Sequence, residues 1–241
     1  MSALGRPHLH LREAGSTNAR ARELAGAGAP HGTLVTASFQ ASGRGRQGRS
    51  WQAPPGQALL MSLVLREPSD LLPLAAGVAV ARACGPEAQV KWPNDVVLTG
   101  PEGGLLKLAG ILAEGRPQEG WAVLGIGLNV AVEIDELPAE LHGSAATLGL
   151  PAAELPAVRE RVLAELEAVL DYPGEDLLVG SDAALAARLS ELAEEAARLG
   201  ATWRAGRIAV EGARVVLAGR WANSCRRWGA RVGGTGLGMQ R

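Results

Sequence analysis

The sequence predicts an α+β protein built on a mixed β-sheet with flanking helices. Three observations predict it. Runs rich in β-branched and apolar residues fall at Thr33 to Phe39, Ala58 to Leu65, Leu105 to Glu114 and Trp121 to Val130, as strands require. Elsewhere apolar residues recur at helical spacing, as in Leu155, Val158, Val162, Leu166 and Val169. Strands come first, with helices between and after them, which is the order of a layered architecture. The 241 residues hold one large domain, or one domain and a small appendage.

In order along the chain, Ser16-Thr17-Asn18 offers helix-capping side chains, and Ala19 to Ala25 reads as a short helix ended by Gly26 and Gly28. The strand Thr33 to Phe39 runs directly into a Gly/Arg loop. Pro54, Pro55 and Gly56 are turn material before the buried strand Ala58 to Leu65. Leu71 to Ala83 reads as a buried helix. Pro93 interrupts a strand within Val90 to Leu98, and Gly100 to Gly104 is a hairpin-like turn. Leu105 to Glu114 and Trp121 to Val130 are neighbouring strands. Pro156 suits the first turn of a helix reaching about Leu170, and a further amphipathic helix is predicted over Asp182 to Leu199. Residues 1–196 form the large domain. Residues 197–241 form a small C-terminal β module, read from Ile208-Ala209-Val210 and Val215-Val216-Leu217. Beyond Arg220 the chain is rich in Gly and Arg and has no clear period.

Composition excludes several function classes. The formal net charge is −1, so no global field draws the chain to nucleic acid or to anionic membranes. Two cysteines, Cys84 and Cys225, make neither a disulfide framework nor a metal-ligand spacing. The N-terminus lacks an apolar signal-peptide core, and the longest apolar run, Leu71 to Ala81, is too short to span a bilayer. These features predict a reduced, cytoplasmic protein.

Chemistry concentrates in four clusters. Gly43-Arg44-Gly45-Arg46-Gln47-Gly48-Arg49-Ser50-Trp51 alternates glycine with arginine and ends on an aromatic ring. Glycine permits unusual dihedrals and arginine forks match carboxylate and phosphate oxygens, so the run suits a small anionic ligand that the loop can wrap. Gly43, Gly45 and Gly48 match G-x-G-x-x-G literally, but the dinucleotide fingerprint needs a helix next, and Pro54-Pro55-Gly56 forbids one. The second cluster is Lys91-Trp92-Pro93-Asn94-Asp95, in which Asn94 and Asp95 suit a turn and Asp95 also suits a hard cation such as Mg²⁺ beside phosphates. Lys107 opens the apolar run Lys107-Leu108-Ala109-Gly110-Ile111-Leu112, either as a solvated strand end or as a point charge in a pocket. In Gly125-Ile126-Gly127-Leu128-Asn129 the glycines signal close approach of a ligand or another backbone, and Asn129 is the lone polar residue of the run.

In this order and wording, GRGRQGRSW, KWPNDV, KLAGIL and GIGLN resemble the biotin–protein ligase (biotin–acetyl-CoA-carboxylase ligase) family over about residues 11 to 195. The resemblance implies the family's mixed-sheet catalytic domain, akin to class II synthetases, and an SH3-like C-terminal barrel. It implies synthesis of biotinyl-5′-AMP from biotin and ATP with Mg²⁺, followed by transfer of biotin to a lysine of a biotin carrier domain. By similarity, Ser16, Thr17, Asn18 and Gln40 belong to the biotin site, where Ser16, Thr17 and Gln40 hydrogen-bond the ureido ring. Arg44, with the backbone from Gly43 to Arg49, closes over biotin and its adenylate. Arg46 retains the adenylate, and Arg49 joins the nucleotide site. Trp51 stacks on adenine. Lys107 meets the biotin carboxylate and the α-phosphate. Asn94, Asp95 and Asn129 serve ATP, with Asp95 as the Mg²⁺ ligand. Gly110, Gly125 and Gly127 let biotin lie against the strands. Lys107, Arg44 and Arg46 are the residues expected to carry the chemistry.

Members of the family that repress transcription carry an N-terminal helix-turn-helix domain. Here the Ser16 cluster falls near the start, so the expected form lacks DNA binding. The Gly-x-Leu-type strand pattern of the C-terminal barrel is missing after Val216, and Trp203, Trp221 and Trp228 offer an alternative small core. A lipoate or octanoate ligase shares the fold but carries an Arg-Arg-x-x-Gly-Gly-type segment that this chain lacks. A non-catalytic biotin- or nucleotide-binding regulator is the rival from another class. Relatives pair through sheet edges, so the resemblance allows a homodimer without naming a residue for it.

Overall fold

The computed structural model describes residues 4–68, 72–116 and 119–170, together with the backbone of 206–210 and 213–217. Strand β1 (His8–Leu11) leads into helix α1 (Thr17–Gly26), strand β2 (Leu34–Ala37), strand β3 (Ala58–Arg66) and helix α2 (Leu72–Cys84). Strands β4 (Gln89–Lys91), β5 (Asp95–Thr99), β6 (Leu105–Arg116) and β7 (Trp121–Asn129) follow, then helix α3 (Leu155–Leu170) and the pair β8 (Gly206–Val210) and β9 (Ala213–Leu217). They form one sheet in the order β1-β2-β3-β7-β6-β5-β4-β9-β8. Two neighbouring pairs, β1 with β2 and β4 with β9, run parallel and the others antiparallel, so the sheet is mixed as predicted.

Helix α1 starts where the sequence places its cap. Ser16 is extended, at φ −156 and ψ 132, and its Oγ accepts from the Ala19 N–H at 3.4 Å. Past the other end, Gly28 takes φ +88 while its N–H bonds the Ala25 carbonyl at 3.1 Å, a left-handed stop that glycine adopts without strain. Pro93 separates β4 from β5, which pair as a tight hairpin with Lys91 opposite Asp95. β1 is absent from the predicted elements; its only signal is the four-residue alternation His8-Leu9-His10-Leu11.

Alternation along β3 divides the core. Leu59, Met61, Leu63 and Leu65 pack with Ala76, Ala79 and Val80 of α2 and with Val158, Val162 and Leu166 of α3. On the opposite face Val64 packs with Ala21 and Ala25 of α1, and Ala58 and Leu60 join Val132 and Leu137. Ser62 falls between these two smaller clusters, fully buried at 0% exposure. The site grows around this polar break in an otherwise apolar face.

The predicted pieces at 208–210 and 215–217 are the β8–β9 hairpin, with β9 beside β4. The predicted helix over Asp182 to Leu199, the boundary at 196–197 and the tryptophans Trp203, Trp221 and Trp228 lie outside the described residues.

Candidate active site

A cavity of about 510 Å³ opens beside the N-terminus of α1, and the strands bring all four sequence clusters to it. Past β2 the chain stays beside Ala14, through an Ala14–Gln40 bridge and an Ala41 N–H to Ala14 carbonyl bond of 2.9 Å. That path delivers Gln40 to Thr17. The Thr17 backbone N–H donates to Gln40 Oε1 at 2.7 Å, and the Thr17 hydroxyl lies 3.0 Å from the same oxygen. Ser62 supports this corner from behind: its hydroxyl is 2.8 Å from Thr17 Oγ1 and donates to Asn18 Oδ1 at 2.6 Å. Asn18 in turn donates to the Leu112 carbonyl at 3.2 Å and to Glu114 at 2.9 Å.

The Gly/Arg run is a small finger. Trp51 N–H bonds the Gly43 carbonyl at 3.0 Å, Gly45 N–H bonds the Arg49 carbonyl at 2.7 Å, and Arg44 bridges Ser50. A Cβ at Gly43 would sit 2.4 Å from the Trp51 carbonyl oxygen, so the finger closes only with glycine there. Arg44, Arg46 and Arg49 are exposed along it and line the cavity.

Opposite the finger, Asn94 and Asp95 form the mouth of the β4–β5 turn. Arg46 donates to Asn94 Oδ1 at 3.4 Å, Asn94 donates to Asp95 Oδ1 at 3.2 Å, and Lys107 Nζ pairs with Asp95 Oδ1 at 2.8 Å. Arg46 and Lys107 are thus two ends of one chain of contacts. Lys107 reaches the cavity because of a β-bulge. Val96 pairs with Ala109 while Val97 pairs with Lys107, skipping Leu108. Residues three apart on a regular strand face opposite sides; the bulge lets Lys107 and Gly110 line the same cavity while Leu108 and Ala109 are both buried in the core.

The glycines make room for the protein's own side chains. A Cβ at Gly125 would fall 2.0 Å from Asn18 Oδ1, and one at Gly127 would fall 2.6 Å from the Trp51 ring. A Cβ at Gly110 would fall 3.0 Å from the nearest Trp51 ring atom. The close approach that Gly125 and Gly127 signal in the sequence therefore comes from Asn18 and Trp51 rather than from another backbone. The indole lies across β6 and β7, with Lys107 Nζ 5.7 Å from its centroid, a cation–π distance. Asn129 is 4% exposed; its amide donates to the Ala146 carbonyl at 2.8 Å, and its Oδ1 has no partner.

Every residue the sequence assigns to the biotin or nucleotide site lines this cavity except Gly43, which shapes the finger without lining it. Sequence reasoning names Lys91 within its cluster but gives it no role, and it misses Ser62, Glu114 and the 144–146 segment, which bonds Lys107 from the side away from β5. Ser62 had a signal, being the one polar residue in the run Ala58 to Leu65. The 144–146 segment had none. Electrostatically the wall is one-sided: among the described residues, Arg44, Arg46, Arg49, Lys91 and Lys107 surround the single acid Asp95. A chain with net charge −1 has gathered cations in one place.

A mixed sheet carrying a cation-lined cavity of this kind suits the binding of small anionic ligands. The sequence profile of the biotin/lipoate A/B protein ligase family matches residues 14–130. The biotin–[acetyl-CoA-carboxylase] ligase of Mycobacterium tuberculosis is 35% identical over 197 residues, covering 71% of each chain. The bifunctional ligase/repressor BirA of Bacillus spizizenii is 39% identical over 151 residues, which are 58% of this chain and 45% of that protein. The chain thus spans under half the length of that relative. The biotin protein ligase of Aquifex aeolicus, solved in complex with biotin and ATP, superposes with a TM-score of 0.55 at 29% identity, covering 69% of this chain and 73% of that one. The chain belongs to the biotin/lipoate protein ligase family, on its biotin protein ligase side.

Proposed function

We propose that this protein activates biotin with ATP to biotinyl-5′-AMP and transfers the biotinyl group to a lysine of a biotin carrier domain, such as that of acetyl-CoA carboxylase. The observation that carries the reading is the convergence of the arginine finger and Lys107 on one cavity, joined through Asn94 and Asp95.

In the first step a biotin carboxylate oxygen attacks the α-phosphorus, and the bond to the bridging oxygen of pyrophosphate breaks. Two anions must meet. Lys107, Arg44 and Arg46 offset their repulsion and stabilise charge on the phosphoryl oxygens. No protein nucleophile is needed. Positioning in the cavity supplies much of the rate, roughly 7–11 kcal/mol in favourable cases. In the second step a neutral lysine amine of the carrier attacks the acyl carbon, AMP leaves, and the amine loses a proton. The finger over the cavity keeps water from the mixed anhydride.

Free hydrogen-bonding capacity supports the assignment of subsites. Ser16 Oγ accepts from Ala19 and keeps its proton for a ligand, and Gln40 keeps its amide hydrogens, so both can donate to a ureido oxygen. The partnerless, buried Asn129 Oδ1 suits an adenine amino group. Trp51 offers its ring to biotin or adenine from across Gly110 and Gly127, and Arg49 reaches the nucleotide from the finger.

Asp95 fits a hydrated Mg²⁺ beside phosphates: Lys107 and Asn94 engage its Oδ1, and its Oδ2 has no hydrogen bond among the described residues. Such an ion would neutralise phosphate charge. Among the described residues no group of three or more His, Cys, Asp or Glu side chains could hold a metal without substrate oxygens. A cytoplasmic location is part of the reading. Cys84 is a free thiol, and no helix among the described residues is long and apolar enough to cross a membrane. The test is pyrophosphate release: the proposal expects it only when biotin and ATP are both present. Release with lipoate but not biotin would contradict the substrate.

A further inference from the structure

Behind the wall of the cavity four oxygens stand in a row. They are Asn18 Oδ1, Ser62 Oγ, Thr17 Oγ1 and Gln40 Oε1, separated in turn by 2.6, 2.8 and 3.0 Å. Both ends are fixed as acceptors. Asn18 turns its nitrogen to the Leu112 carbonyl and the Glu114 carboxylate, neither of which can donate, so its oxygen faces Ser62. Gln40 turns its oxygen to the Thr17 backbone N–H. Between these ends lie two hydroxyls with one proton each. Three links share two protons, and one link has none.

The geometry says which. The shortest link, 2.6 Å, joins Ser62 at 0% exposure to Asn18 at 4%, and without a proton there Asn18 Oδ1 would be a buried acceptor with no donor. Ser62 therefore donates to Asn18, and its lone pairs face Thr17 at 2.8 Å. The longest link, Thr17 to Gln40, is the one whose two residues both line the cavity. A ligand can supply a missing proton only there.

We propose that Ser62, which does not line the cavity, is a specificity-determining positioning residue. It draws the Thr17 proton inward, so that Thr17 Oγ1 and Gln40 Oε1 present lone pairs to the cavity and the site demands an N–H donor on the bound ring. This rests on the biotin reading, since a ureido ring carries such donors. A ring oxygen at that place would set another acceptor against the row.

The test is calorimetric titration of the full chain with biotin and with the two cyclic carbamate analogues, in each of which one ureido N–H is replaced by oxygen. The wild type binds at least one analogue 30-fold or more weaker than biotin. In Ser62→Ala the Thr17 hydroxyl has only Gln40 left to bond, the deficit vanishes, and that ratio shrinks at least fivefold. Ser62→Cys, whose thiol fills the space but accepts poorly, shrinks it too. General loosening of the pocket would weaken biotin and analogue alike and leave the ratio in place. An unchanged ratio in either folded variant, or no discrimination by the wild type, overturns the inference alone. Failure of the wild type to bind biotin overturns the biotin reading and the inference with it.

Discussion

Lys107 carries the most consequence of any single side chain. Its side chain is 40% exposed, and its ammonium pairs with Asp95 and lies over the Trp51 ring. An ion pair so open to water contributes little to stability. In the proposed reaction its value is as a charge held where two anions meet. Lys107→Ala is expected to slow biotin-dependent ATP–pyrophosphate exchange about 10²–10³-fold, the scale of losing one preorganised donor, with little change in melting temperature. Arg46 reaches the same chain of contacts from the finger. Arg46→Gly is expected to let the adenylate escape, which mass spectrometry reads as biotin on bystander lysines; labelling no higher than wild type contradicts that role. Gly127 tests the floor. A methyl there meets the Trp51 ring at 2.6 Å, so Gly127→Ala must push the indole off the strands. Biotin affinity in that variant is expected to fall about tenfold, or roughly 1.4 kcal/mol.

At the scale of elements, the helix cap, the proline break and the two long strands are legible in the sequence because each has a local signal. Ser16, Gly28 and Pro93 act on their own backbone. The bulge at Leu108 has no local signal, because it follows from how β5 and β6 register. Without it the sequence cannot say why Lys107 and Gly110 share a cavity. Similarly, glycines at 125 and 127 announce a close approach but not its source, which is set by where α1 and the finger pack. Helices α2 and α3 cover the far face of the sheet and hold it from behind. Leu166, fully buried there, makes a clean probe: Leu166→Ala is expected to cost about 2–5 kcal/mol by denaturant unfolding. Cys84 closes α2, where burial pushes its thiol up to about 12. A raised value keeps the thiol neutral through pH 8, and the thiolate is the reactive form. Iodoacetamide at pH 8 is expected to spare Cys84 in the native protein and to alkylate it after unfolding, as peptide mass spectrometry resolves.

For the whole molecule, the decisive property is the contrast between a net charge of −1 and a cavity that, among the described residues, is lined by five basic side chains and one acid. Composition alone argues against attraction to polyanions; local order along the sheet then makes one strongly cationic place for a small one. That contrast is legible in the sequence, where the arginine run stands against a balanced total. What the sequence could not supply was convergence, because finger, turn and Lys107 are distant in the chain and meet only through the strand order. The account predicts that intact-mass measurement of a biotin carrier domain incubated with this protein, biotin and Mg-ATP will show one biotinyl group added, and none when Lys107→Ala replaces the wild type for the same time. An unmodified carrier under wild-type conditions, or full modification at an undiminished rate by Lys107→Ala, would contradict it.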